Sequence, residues 1–144
     1  MANKKFKNGD KLLSTEVYDN TTNQALNTFI NDNTFVDVSS AFSTLNTNYF
    51  SSLTIKAFKQ GKILWIRVGF VVTTNITTGI EIGYSSTYKP STNTNHNGMA
   101  RLSASTGWFG WWIDSNGYIW IEPMNGSSIG NGTQTNFAIT LALA

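Results

Sequence analysis

The sequence predicts a mainly β protein of α+β class: an antiparallel β-sandwich preceded by one N-terminal α-helix. Three observations carry this. From residue 34 onward apolar residues recur at every second position, the period of a half-buried strand. Gly-, Asn- and Asp-containing turn signals separate these alternating runs. Asn, Ser and Thr fill 50 of the 144 positions, and such side chains suit strand surfaces and turns while competing with helical backbone bonds.

A chain of 144 residues is read as one domain, long enough to bury a single core. It divides into a basic arm over 1–13, a helix over 14–32 and a β-sandwich over 34–144. The arm carries Lys4, Lys5, Lys7 and Lys11 and is expected to be solvated. Charged residues make up only 12 % of the chain and the net charge is +2, so nothing steers a polyanion and no nucleic-acid partner is expected. There is no cysteine, which excludes disulfides and thiolate metal sites. No apolar run is long enough to span a bilayer and no signal segment follows the basic start; synthesis in a cytoplasm, with no membrane partner, is expected.

The helix is expected from Ser14, a candidate N-cap, with Val17, Ala25, Leu26, Phe29 and Ile30 on one face. Thr21, Thr22 and Asn23 weaken its middle. Phe35, Val36 and Val38 then suggest a short strand. A hairpin follows over 53–72, LTIKAFK-QG-KILWIRVGFVV. With Gln60-Gly61 as a two-residue turn, Ala57 faces Leu64, Ile55 faces Ile66 and Leu53 faces Val68. The opposite face then sets Lys56 against Trp65, a cation–π arrangement, and Thr54 against Arg67.

A strand is expected over 76–82, a long polar loop over 83–98 and another strand over 99–105. The stretch 124–133, MNGSSIGNGT, is a Gly/Asn-rich connection. The terminal NFAITLALA alternates through Phe137, Ile139, Leu141 and Leu143, which predicts a strand with one buried face.

The segment 109–123, FGWWIDSNGYIWIEP, holds three of the five tryptophans. A two-residue Asn116-Gly117 loop would mix aromatic and aliphatic residues on both faces. A type I turn over 114–117, with Gly117 as a left-handed bulge residue, sorts them. Asp at the first turn position and Gly at the fourth favour it. Ile113 then meets Ile119 and Trp111 meets Ile121 on a core face, while Trp112 meets Trp120 and Asp114 meets Tyr118 on the other. That second face is covered by the helix or another subunit, or it is an exposed platform for sugar rings, with Asp114, Asn116 and Glu122 taking hydroxyls. The candidate ligand-binding residues are therefore Trp112, Asp114, Asn116, Tyr118, Trp120 and Glu122.

No catalytic residue, cofactor or metal-ligand set is assigned. The single histidine, His96, lies in the polar loop with no nucleophile-elbow pattern beside it. D-S-N-G fails as a calcium loop because its third oxygen-bearing position is not filled by Asp or Asn. A glycosidase would need two acids in one cleft, for which Glu81 and Glu122 are the pair to weigh. A host-takeover protein acting inside the cell is a third class, compatible with the expected lack of a signal segment.

The stretch from Ile80 to the end resembles the C-terminal part of siphophage tail-fibre, baseplate and receptor-binding proteins from phages of Gram-positive bacteria. The matching pieces are Gly83-Tyr84 with Lys89-Pro90-Ser91, the 99–105 strand, the 113–121 hairpin with its D-S-N-G turn, and 137–143. SSTY intrudes between Gly-Tyr and Lys-Pro-Ser, a departure from the pattern. The resemblance covers less than half of the chain. A helix leading into a sandwich is also similar to the shoulder module of lactococcal-type receptor-binding proteins. The resemblance implies a virion tail-tip or baseplate component of a siphophage, from a Bacillus-like host, that is not an enzyme. Its implied partners are other phage tail and baseplate proteins and host cell-wall saccharide, as a homotrimer, with a monomeric adaptor as the alternative.

Overall fold

The computed structural model describes residues 18–19, 24–25, 34–90, 96–102 and 107–143. The chain forms two compact units, 1–34 and 35–144. In the first, β1 (Tyr18–Asp19) pairs antiparallel with β2 (Gln24–Ala25), Tyr18 opposite Ala25. The helix expected over 14–32 lies largely outside the described residues. At these four positions within it the backbone is extended, on either side of the helix-averse Thr21, Thr22 and Asn23.

The second unit is a mainly β sandwich of two antiparallel sheets. It is built from β3 (Val36–Asp37), β4 (Ser43–Thr44), β5 (Phe50–Gln60), β6 (Ile63–Val72), β7 (Ile80–Tyr84), β8 (His96–Arg101), β9 (Trp108–Ile113), β10 (Tyr118–Pro123) and β11 (Gln134–Ala142). One sheet has the order β4-β7-β10-β9-β8, the other β11-β6-β5-β3. In the five-stranded sheet β8, β9 and β10 form a meander and β7 lies beside β10, a Greek-key order that sends the connection after β7 across to the far edge.

The β5–β6 hairpin is the best-defined unit of the four-stranded sheet, and its turn differs from the expected one. Gln60 pairs with Ile63, so the two-residue loop is Gly61-Lys62, with Gly61 at φ +54 as a Gly-X loop of type II′ requires. The register moves by two: Ala57 faces Ile66, Ile55 faces Val68 and Leu53 faces Phe70. An even shift leaves every side chain on its expected face, and Ala57, Leu64, Ile66, Val68, Phe70 and Val72 are buried. The outer pairs do change. Lys56 stands opposite Arg67 and Trp65 opposite Phe58, so the expected Lys56–Trp65 pair is replaced by a Phe35–Trp65 stack at 5.0 Å.

β11 adds to β6 in an unbroken register, with Phe137, Ile139 and Leu141 inward as the alternation predicts. Aromatic rings tie the two sheets together: Phe70 meets Phe109 at 5.7 Å, Phe109 meets Phe137 at 5.7 Å, and Phe137 stacks on Trp111 at 5.4 Å. Each such buried side chain contributes on the order of 1.5–3 kcal/mol by leaving water. Gly83 permits close approach of the sheets, since a Cβ there would lie 2.5 Å from Ile55 Cδ1.

Two expected strands are displaced. β7 begins at Ile80 rather than Ile76, and Ile76 instead makes an isolated bridge to Ile129. That bridge buries Ile129 of the Gly/Asn-rich connection, and Asn75 Oδ1 accepts the Asn131 N–H at 2.7 Å beside it. β8 spans His96–Arg101, three residues ahead of the expected start at 99, because its pairing with β9 runs from His96↔Ile113 to Arg101↔Trp108. Positions 103–106 of the expected strand lie outside the described residues.

Candidate functional site

The 109–123 segment adopts the bulged register. Ile113 faces Ile119, Trp112 faces Trp120 and Trp111 faces Ile121. The Gly117 N–H donates to Asp114 O at 3.0 Å, and the Asp114 N–H donates to Tyr118 O at 3.0 Å, with Gly117 at φ +96. These are the bonds of a type I turn closed by a left-handed bulge residue. Ile113, Ile119 and Ile121 are fully buried, and Trp111 packs against Phe137.

The turn is docked on its neighbour. The Ser85 N–H donates to Gly117 O at 3.0 Å, and a Cβ on Gly117 would overlap the Ser85 carbonyl oxygen. Ser85 Oγ accepts the Tyr88 N–H at 3.1 Å, and Tyr88 stacks on Phe42 at 6.0 Å. The start of the polar loop is thus held by the hairpin tip.

The other face of the hairpin is the outer face of the five-stranded sheet. Trp112 and Trp120 stack with centroids 5.5 Å apart and planes 6° from parallel. Tyr118 meets Tyr84 of β7 at 4.7 Å. All four rings are half-buried, so each keeps part of its surface open. Asp114 organises the row: its Oδ1 accepts the N–H groups of Asn116 (2.9 Å) and Tyr118 (3.0 Å), and its Oδ2 accepts Trp120 Nε1–H at 3.3 Å. One carboxylate therefore caps the turn and fixes the indole. Asn116 is exposed at the tip, and Glu122 is exposed two residues beyond Trp120. Trp112 and Glu122 both reach over Gly79, where a Cβ would lie 3.7 Å from Trp112 Cη2 and 3.8 Å from Glu122 Cβ.

Of the six candidate residues, Trp112, Tyr118, Trp120 and Glu122 share one sheet face, while Asn116 stands at the turn tip and Asp114 is engaged inside the turn rather than pointing its oxygens freely outward. Glu81 stands opposite Trp120, which makes Glu81 and Glu122 diagonal neighbours on this same open face. Three members of the face were not assigned from the sequence. Tyr84 joins it because a β-bulge at Ile82 breaks the alternation of β7. Met99 and Trp108, 64 % and 48 % exposed, extend it across β8 and β9. Gly83 is the one local signal of that bulge, since glycine inside a strand marks such irregularities. Among the described residues no group of His, Asp and Glu side chains has the arrangement of a metal site.

These features define a small antiparallel β-sandwich that presents an aromatic sheet face. No family model matches the chain, and no curated protein matches it. Among solved structures it is similar to one described as the head domain of the lactococcal phage bIL170, from work on receptor-binding domains of lactococcal phages. The two share 15 % identity with a TM-score of 0.48, over 77 % of this chain and 98 % of that one.

Proposed function

We propose that this protein is a non-enzymatic bacteriophage tail-tip or baseplate component that attaches to the host surface by stacking cell-wall saccharide on the Trp112–Trp120–Tyr118–Tyr84 row. The observation that carries it is the row itself. Parallel indole faces on an open sheet suit the C–H face of a pyranose, and such an apolar surface left open signals an interaction site. Asn116 and Glu122 supply hydrogen-bonding groups at its two ends, while Asp114 holds the geometry. The siphophage-like D-S-N-G hairpin and its flanking strands support the placement in a tail, with other tail proteins as assembly partners. A single copy presents the whole row, so a monomer suffices for binding and a homotrimer would multiply it.

Tryptophan fluorescence of the full chain titrated with host wall polysaccharide tests the proposal. Trp112→Ala and Trp120→Ala should each weaken binding at least tenfold, with unchanged far-UV circular dichroism. Wild-type affinity in both variants would remove the platform from consideration. Absence of the protein from purified tails, by mass spectrometry, would remove the tail assignment.

A further inference from the structure

The outer face of the four-stranded sheet carries a second, chemically different surface. Its side chains stand in cross-strand rows over β5, β6 and β11. Thr54, Gly69 and Asn136 form one row, and Lys56, Arg67 and Ala138 form the next. Gly69 leaves a notch in the central strand between Thr54 and Asn136, within a shallow groove of about 350 Å³. Thr54 Oγ1–H donates to Gly69 O at 3.3 Å, which holds the hydroxyl at the notch wall. Lys56 and Arg67 close one end of the groove.

That cationic end is unusual. Like charges directly opposite across an antiparallel pair destabilise it. Asp37, on the neighbouring strand, offsets Lys56 in part. Arg67 sits on the central strand with Ala138 on its other side and has no ion-pair partner among the described residues. A guanidinium fork beside an ammonium, both exposed, is an arrangement that an oxyanion completes. The adjoining notch has hydroxyl and amide groups on its two walls, with Val71 beyond Gly69 at the end away from the cations. We infer that this groove binds an oxyanion, a phosphate ester or a carboxylate, carried on a hydroxyl-bearing chain. The anion lies between Lys56 and Arg67, and the hydroxyl chain lies over Gly69 between Thr54 and Asn136. The site is on the sheet opposite the aromatic row and stands independently of the proposal made for that row.

Amide chemical shifts of the uniformly labelled full chain, titrated at low salt with sn-glycerol 3-phosphate, D-galacturonate, inorganic phosphate and glycerol, test it. Saturable shifts at Thr54, Lys56, Arg67, Gly69 and Asn136 are expected with the first two ligands, and none with glycerol. The relative affinity of the first two assigns the anion. Lys56→Gln with Arg67→Gln should weaken both at least tenfold. Gly69→Val fills the notch; its Cβ meets Thr54 Oγ1 at 3.4 Å, so it seats with a small shift. It should weaken glycerol 3-phosphate several-fold and leave inorganic phosphate unchanged. Trp120→Ala should leave the shifts at these five groove residues unchanged, which separates this site from the saccharide platform. No saturable shift at these residues would overturn the inference. So would equal binding of inorganic phosphate and glycerol 3-phosphate with no effect of Gly69→Val, which marks an adventitious ion only.

Discussion

Replacing Gly117 by alanine should be among the most damaging single-methyl changes in the sandwich. Two costs add. At φ +96 an L-residue loses about 1–2 kcal/mol to left-handed backbone strain. The new Cβ also overlaps the Ser85 carbonyl oxygen, with the Ser85 carbonyl carbon 3.1 Å away, so hairpin tip and loop must separate. That breaks the bond from Ser85 N–H to Gly117 O, worth about 1 kcal/mol net. The sum is about 2–3 kcal/mol, which lowers the melting temperature of a domain this size by roughly 10 °C. Gly132 is the control. It has φ +84, but nothing lies within 4 Å of the point its Cβ would occupy, so Gly132→Ala carries the strain alone, about 1–2 kcal/mol and roughly 5 °C. Differential scanning calorimetry of the two variants measures the difference. Equal drops in melting temperature would refute the claim that docking on Ser85, rather than turn conformation, makes glycine necessary.

Asp114→Ala removes the acceptor for two N–H groups and one indole N–H, and should cost about 1–3 kcal/mol in urea unfolding with a changed near-UV tryptophan signal. Phe109→Ala, at the crossing of the Phe70 and Phe137 contacts, should cost about 3–5 kcal/mol by the same measurement. The carboxyl of Asp37 is held below its ordinary value of 3.8, chiefly by hydrogen bonding to the Ser39 side chain and then to its backbone N–H. A depressed folded value contributes stability above 3.8 that is lost as pH falls through it, so Asp37→Asn should flatten the acid limb of melting temperature against pH.

What was legible in the sequence follows from how each element stores its information. The 114–117 turn was legible because Asp and Gly occupy positions whose backbone geometry differs between the competing turns, and the register sorts aliphatic from aromatic residues. The β5–β6 turn was not, because Gly61 fits the second place of one two-residue loop and the first place of another. A period of two cannot distinguish registers that differ by two, so faces were right and partners were wrong. Lys56 consequently lost Trp65 and gained Arg67, and the cationic groove was hidden. Tyr84 was hidden for a different reason: one extra residue in β7 inverts the alternation, and only pairing with β10 reveals it. Met99 and Trp108 became visible once β8 paired with β9 along its whole length.

Trp120 uses its sole polar hydrogen on Asp114, while Trp112 stacks on its ring and Tyr118 packs at a tilt against Tyr84. On the saccharide reading proposed above, the Trp120 indole therefore offers a guest aromatic surface and no donor. Selectivity on such a surface is set by the guest's underside. Rings with a continuous patch of axial hydrogens lie flush, whereas epimers that turn one hydroxyl downward are held off. On that reading the turn carboxylate, by occupying the Trp120 indole from within, leaves this ring to sense a guest's stereochemistry rather than its hydroxyls.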